Sequence, residues 1–433
     1  MIKSPILYTI FALFLIFSSC KQTEPTPLTN VYIESVNING ISAYNGGTVY
    51  NISVDSVVIH LTFSSAIDKK MLNPTKLYLS NGIDTSFSII TDTVSRQLSF
   101  RINKKLNHYS TYTLYVADGE HFGVKFIDSY SFSFVTQLDN SPKFPIISDD
   151  SLLTLVQKQT FKYFWDYAHP VSGLARERLG SGETVTSGGS GFGIMTIPVA
   201  IERGFITRQQ GYERMNTIVN FLNTKADKFH GAFSHWLNGA TGKVQPFSTK
   251  DNGADLVETA FMIQGLLTVQ QYFRNGNVAE KAMCDTIQKI WENVEWDWFQ
   301  QNGQQKLFWH WSPNYGWEMN FPLEGYNECL ITYILGASSP THSIPAECYH
   351  KGWARSGGIK SNAKPYGYPL ELKHNGAEQT GGPLFWAQYS YICLNPKNLS
   401  DTYANYWNVV RNHALSDYEY CVRNPKGYKG YGK

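Results

Sequence analysis

Apolar and polar residues follow three different rhythms along this chain. The first is a block: after Met1, Ile2 and Lys3, the run from Ile6 to Phe17 is apolar except for one threonine among its aliphatic and aromatic residues, and it closes on Ser18, Ser19 and Cys20. One basic residue, a short apolar core and small residues before a cysteine describe a signal peptide that resembles a bacterial lipobox. It is too short for a permanent span. No other stretch is long and apolar enough to cross a membrane. The expectation is an exported protein lipidated at Cys20 and anchored to the outer membrane, on its periplasmic or cell-surface face. Residues 1–20 are then the signal and 21–30 a polar tether.

The second rhythm has a period of two. SVVIHLTF (56–63), RQLSFRIN (96–103), STYTLYVA (110–117) and SYSFSFVTQ (129–137) alternate between apolar and polar residues. Strands at this spacing with turn residues between them predict a small antiparallel β-sandwich over 31–137. FSSAIDKKML followed by LNHYSTYTLYV resembles bacterial Ig-like domains. The region carries no ionisable cluster, so a spacer or weak binder is expected. A Pro-containing linker spans 138–150.

From Ser151 the period lengthens. Leu152, Leu153, Val156, Phe161, Phe164 and Trp165 recur at helical spacing behind Asp149 and Asp150. Further helices are predicted near 193–203, 207–226, 255–275, 279–294, 323–337, 382–394 and 400–423, with no strand-rich run among them. An all-α domain over 151–433 follows. Its long Gly- and aromatic-rich loops, 172–192, 229–254 and 296–321, point to a loop-lined site.

Composition narrows the function. With 37 Lys plus Arg against 35 Asp plus Glu, nothing resembles a phosphate-reading surface, so no nucleic-acid partner is expected. Tyr, Phe and Trp make up 15% of the chain, a composition that suits platforms for flat sugar faces. Beyond Cys20 there are five cysteines with no zinc-like spacing, which reads as mostly reduced, buried thiols with room for one disulfide.

Two segments concentrate acids. In KDNGADLVETAF, Asp251, Asp255 and Glu258 are spaced i, i+4, i+7, on one side of a helix start. Their mutual repulsion would hold a proton on one of them, as a general acid requires. Acids in a first turn also complement the helix dipole without any function, and the residues alone leave both readings open. In FPLEGYNECLITYIL, Glu324 and Glu328 bracket a turn entering an apolar helix. Just upstream, Trp309, Trp311, Tyr315 and Trp317 crowd a loop that reads as a sugar platform or as a Trp-rich core. Weaker candidates for lining the site are His230, His235 and Trp236 in HGAFSHW, and Arg176 and Glu177 in GLARERLG. TSGGSGFG (186–193) lacks nucleotide-binding spacing and reads as a substrate-contacting loop. No metal site and no cofactor are expected.

Together, GLARERLGSGETVTSGGSGFGIM, HGAFSHW, STKDNGADLVETAFMIQGLL, WHWSPNYGWEMNFPLEGYNECLITYILGASSPTHSIP and NPKGYKGYG resemble a glucoamylase-type family of Bacteroidota lipoproteins. That family includes the β-1,2-glucanases of glycoside hydrolase family 144. The resemblance implies an (α/α)6 toroid and cofactor-free hydrolysis of a β-1,2-glucan with inversion. The family's acidic cluster maps onto Asp251, Asp255 and Glu258, and its GYNE glutamate onto Glu328. About eight helices are legible where a closed toroid needs twelve, so a toroid truncated at its C-terminus is expected. The expected partner is an oligo- or polysaccharide bound by a monomer. The rival readings are a non-catalytic glycan-binding lipoprotein and, further off, a polysaccharide lyase.

Overall fold

A computed structural model describes residues 27–71, 76–80, 87–90, 94–139, 141 and 144–428. Cys20, the signal segment and most of the tether lie outside the described residues. The chain divides into two compact units, one up to residue 143 and one from Phe144 onward.

The first unit is built from β-strands. Five of them, in spatial order Ile41–Ala43, Ile33–Ile38, Val58–Asp68, Val94–Ile102 and Phe87–Ile89, form one antiparallel sheet. Four others, Thr48–Ile52, Tyr130–Thr136, Thr111–Val116 and Leu77–Leu79, form another. Alternation does the folding work: Ile59, Leu61 and Phe63 from the first sheet and Leu114, Phe132 and Phe134 from the second are all buried in one core. The unit is not purely antiparallel, as the alternating runs had implied. Thr48–Ile52 runs parallel to Tyr130–Thr136, and Asn30–Val31 runs parallel to Val124–Phe126. Period-two alternation fixes which side chains face inward but says nothing about strand direction.

The second unit carries the helices α1 (Asp149–Asp166), α2 (Ser187–Glu202), α3 (Arg208–Thr224), α4 (Leu256–Phe273), α5 (Val278–Glu292), α6 (Leu330–Ser338), α7 (Phe385–Gln388) and α8 (Tyr406–Arg423). The expected all-α toroid is overturned by what lies between them. Thr184–Thr186, Trp236–Asn238 and Val244–Gln245 form a three-stranded sheet, and four more strands pair as Lys228–Phe229 with Ala232–Phe233 and Ala254–Asp255 with His310–Trp311. Lys360–Ala363 pairs with Leu370–Leu372. These strands are two to four residues long, too short for alternation to register, so they were hidden in segments that read as loops. Among the described residues, no helix is long and apolar enough to cross a membrane. The five cysteines from Cys284 to Cys421 are free thiols, and Cys284, Cys329 and Cys348 are buried.

The Gly-rich TSGGSGFG is not a loop either. It forms the first turns of α2, and its glycines exist for close approach to α4. A Cβ on Gly191 would lie 2.1 Å from the Phe261 carbonyl oxygen, and one on Gly265 would lie 2.3 Å from the Gly191 carbonyl oxygen. Only bare backbone lets the two helices touch there. This contact sets the N-terminal end of α2 against the N-terminal end of α4, where the acids are.

Candidate active site

Asp255 organises the site. It is completely buried and caps α4, its Oδ1 accepting the Glu258 backbone N–H at 2.9 Å. The same oxygen accepts the Trp309 indole N–H at 2.9 Å, while Oδ2 pairs with His235 Nδ1 at 3.0 Å. Helix capping and a buried ion pair therefore coincide on one carboxylate. The pairing of Ala254–Asp255 with His310–Trp311 carries His310 alongside, its Nε2 3.5 Å from Asp251 Oδ2 and 3.7 Å from Asp255 Oδ2. Asp251 and Glu258 meet Asp255 from opposite ends of the motif. Because α4 begins only at Leu256, Asp251 converges through the preceding turn and not along a helix face.

Glu258 closes the cluster toward α2. Its Oε2 accepts the Gly188 N–H at 2.8 Å and the Thr186 hydroxyl at 3.4 Å. A Cβ on Gly188 would sit 2.4 Å from that oxygen, so the glycine is what lets the backbone reach the carboxylate. Protein surrounds the Glu258 carboxyl almost entirely, yet part of the side chain still meets solvent. That combination describes a group at the bottom of a recess.

The electrostatics follow from burying several acids together. Burial, then the charge of Asp255, pushes Asp251 up to about 7 against the opposing pull of His235. Glu258 is likewise pushed up to about 7, chiefly by burial and Asp255. Burial works to lower His235, but its hydrogen bond to Asp255 and the charges of Asp255, Glu258 and Asp251 win, and it rises to about 9. Burial dominates at His310 and lowers its pKa. His235, Asp251 and Asp255 bring one ligand atom each within 4.8 Å of one another, the geometry of a possible cation site. At neutral pH the proton on His235 already supplies positive charge there.

Glu328 differs from these acids. It lies just before α6, burial raises its pKa, and no side chain is hydrogen-bonded to its carboxyl. Ser390 fixes its backbone: the Ser390 hydroxyl donates to the Glu328 carbonyl at 2.9 Å and accepts the Ile331 N–H at 3.1 Å. At the next residue back, Tyr389, burial and then the charges of both Glu258 and Glu328 raise the phenol's pKa.

The remaining predicted residues separate by location. Trp236 lines the site: it packs against Phe247 at 4.8 Å between ring centroids, and Phe247 packs against His235 at 4.3 Å. Phe247 is 51% exposed, leaving a face free at the rim. Trp309 belongs to the frame through Asp255. Trp311, Trp317 and His230 gather around Trp298, with His230 stacked on it at 3.5 Å and the two tryptophans at 5.3 and 4.8 Å; His230 also pairs with Glu295. Tyr315 is exposed nearby in sequence, its backbone held by Ser312.

Arg176, Glu177 and Glu324 are not brought to the acids. The Arg176 guanidinium donates to the carbonyls of Gly182, Tyr167 and Ala168, pinning its own loop, and Glu177 pairs with Arg178 at 2.6 Å. Glu324 pairs with Lys306 at 2.8 Å and lines another cleft of about 390 Å³ with Arg355 and Lys373. Sequence reasoning missed His310 and Tyr389, and it noted Thr186 and Gly188 only as part of the Gly-rich TSGGSGFG. His310 had a faint signal, a titratable residue between two tryptophans; Tyr389 had none.

Comparison with known proteins adds the following. The family model described as "Putative glucoamylase" matches residues 320–433. An exo β-1,2-glucooligosaccharide sophorohydrolase of Parabacteroides distasonis is 41% identical over 348 residues, covering 76% of this chain and 48% of the relative. The chain thus spans about half the length of that curated relative. An endo-β-1,2-glucanase from Chitinophaga pinensis, solved with sophorotriose and glucose, is 58% identical with a TM-score of 0.64, covering 66% of this chain and 70% of that one. A structure from Bacteroides caccae described as a glucoamylase of the same kind is 54% identical, with a TM-score of 0.64 and the same coverage.

Proposed function

We propose, for a chain that belongs to the putative glucoamylase family, hydrolysis of a β-1,2-linked glucan at the recess around Glu258 and Glu328. The observation that carries this reading is a pair of half-buried glutamates of raised pKa, on separate elements, whose charges both act on Tyr389. The β-1,2 linkage rests on what the two glucan-cleaving relatives act on.

Glycoside hydrolysis needs one carboxyl to give a proton to the leaving oxygen and another to take one from water. Glu328 suits donation. Burial favours its neutral form and outweighs the opposing hydrogen bond from its own backbone N–H. Glu258 suits acceptance. The Gly188 N–H and the Thr186 hydroxyl hold one carboxylate oxygen in place and leave the other for water. As Glu328 protonates the glycosidic oxygen, the C–O bond breaks, water attacks the anomeric carbon, and its proton passes to Glu258. Carboxyls drawn from separate elements leave room for that water, which favours inversion. Asp255, with both oxygens engaged, positions His235, and Trp236 with Phe247 offers an aromatic rim for a sugar ring.

The test is incubation of the full chain with linear β-1,2-, β-1,3- and β-1,4-glucans, following reducing ends and the anomer of the first product by NMR. Cleavage of the β-1,2 polymer alone with inverted product is expected. Saccharide binding without product would favour a glycan-binding protein, and an unsaturated product would favour a lyase.

A further inference from the structure

Tyr389 sits where neither the acid motifs nor the aromatic loop would have placed a functional group. Its main chain is tied to both acid-bearing elements. From α4, the Gln264 side-chain amide donates to the Tyr389 carbonyl at 3.2 Å. Its neighbour Ser390, buried, joins the Glu328 carbonyl to the Ile331 N–H at the start of α6. The ring is held just as firmly: edge-on to Phe261 at 5.6 Å, tilted against Phe192 of α2 at 4.7 Å and against Phe385 of α7 at 5.3 Å. Phe261 lies three residues beyond Glu258 on α4 and therefore on the same face, so a ring packed on Phe261 lies beside the Glu258 carboxyl.

These contacts fix the phenol by its apolar body and leave its hydroxyl as the variable part. No direct hydrogen bond joins that hydroxyl to either carboxyl, yet both carboxylates act on it. After burial, the charges of Glu258 and Glu328 are what push its pKa up, and it stays a neutral O–H donor throughout the pH range in which carboxyls titrate. Phe192 of α2 and Phe385 of α7 pack on the ring, and Glu258 and Glu328 are the charged groups that act on its hydroxyl. A donor whose ring is fixed beside both acid-bearing elements, and which among the described residues is hydrogen-bonded to neither carboxyl, is available to hold a third oxygen.

We propose that Tyr389 is a positioning residue whose hydroxyl holds the attacking water between Glu258 and Glu328. The proposal rests on the assignment of those two acids given above. The phenol keeps its own proton: it orients the water, the water's proton goes to Glu258, and its oxygen bonds to the anomeric carbon.

The test is Y389F in the full chain, assayed on linear β-1,2-glucan across pH. Phenylalanine keeps every ring contact, so the unfolding midpoint should hold. The expected result is a kcat lowered about 10- to 100-fold with KM within about threefold, because water and not sugar loses its partner. Removing a donor beside Glu258 also raises that acid's pKa, so the acid limb of the kcat profile moves to higher pH. 3-Fluorotyrosine placed at 389 alone is a stronger donor and should move the same limb the opposite way; it also serves if Y389F folds poorly. Unchanged kcat and limb overturn the proposal. So does a raised KM at unchanged kcat, which would mean that the hydroxyl binds sugar. A parent chain that does not cleave the polymer defeats the assignment of the two acids and this proposal with it. A parent that cleaves while Y389F matches it defeats this proposal alone.

Discussion

The two units of this protein treat buried polarity in opposite ways. In the first, the buried polar side chains Thr136 and His121 are not acids and lean on backbone groups. The Thr136 hydroxyl donates to the Asn107 carbonyl at 2.7 Å, and His121 is pushed down by burial, so it stays uncharged. The unit's ion pair between Arg96 and Glu34 stays at the surface. In the second unit, Asp251, Glu258 and His235 are gathered around Asp255 and burial opposes ionisation of those three, while among the described residues the Asp251 Oδ1 and His310 Nδ1 have no protein partner, as is also true of His121 Nδ1 in the first unit. Clustering charge in a poorly hydrated recess is costly to stability. Chemistry is one use for such an arrangement, and the contrast singles out this cluster as the candidate site without reference to any relative.

The comparison breaks most visibly if the recess is disarmed. E258Q or E328Q should lower turnover on β-1,2-glucan about 10²- to 10⁴-fold while leaving the unfolding midpoint nearly unchanged, measured by reducing-end release and thermal melts. A comparable loss from substitutions confined to the first unit would erase the distinction.

D255A should cost about 3–5 kcal/mol in denaturant unfolding of the second unit, since it strands His235 and uncaps α4. In the surviving fold, the His235 ring should titrate well below its present value of about 9, readable by NMR. Stability from this pair has a definite sign with pH. His235 is raised in the folded state, so its contribution is full below about 6.5 and lost as pH climbs through about 9. Asp251 and Glu258, also raised, act in the same direction. They bind protons more tightly folded than unfolded, so stability falls from about pH 4 to about pH 7 as they are forced to ionise. The second unit should therefore melt progressively lower as pH rises from 5 to 10, and a flat curve would contradict the buried-charge account.

G191A should destabilise the second unit by about 1–3 kcal/mol, because its methyl group collides with the Phe261 carbonyl and must part α2 from α4. Activity should fall further than stability alone explains, because Gly188 and Glu258 lie on those same helices. F247A should be the mildest change, weakening saccharide affinity by about 1 kcal/mol with the melt unaltered.

Where the sequence could be read, the reason is local. α3 was predicted at 207–226 and observed at Arg208–Thr224, because Thr207 and Gln210 form a capping box and the apolar stripe keeps helical period between them. Asp251, Asp255 and Glu258 stood out because eight residues hold all three. The illegible parts were non-local. The strand pairing that sets His310 against Asp255 joins segments 55 residues apart, and no periodicity announces a two-residue strand. The glycines of α2 read as a loop because the reason for them, the backbone of α4, lies elsewhere in the chain. Tyr389 looked like one aromatic residue among many until Ser390 was seen to join it to Glu328.

The most direct test of the central claim uses a substrate whose leaving group needs no proton. On a dinitrophenyl β-sophoroside, E328Q should keep most of the parent's rate although it has lost its activity on β-1,2-glucan, because only donation is missing. E258Q should be slow on both substrates, because water still lacks its acceptor. The opposite pattern would exchange the two roles, and variants that both remain active on the polymer would contradict the assignment of catalysis to this pair.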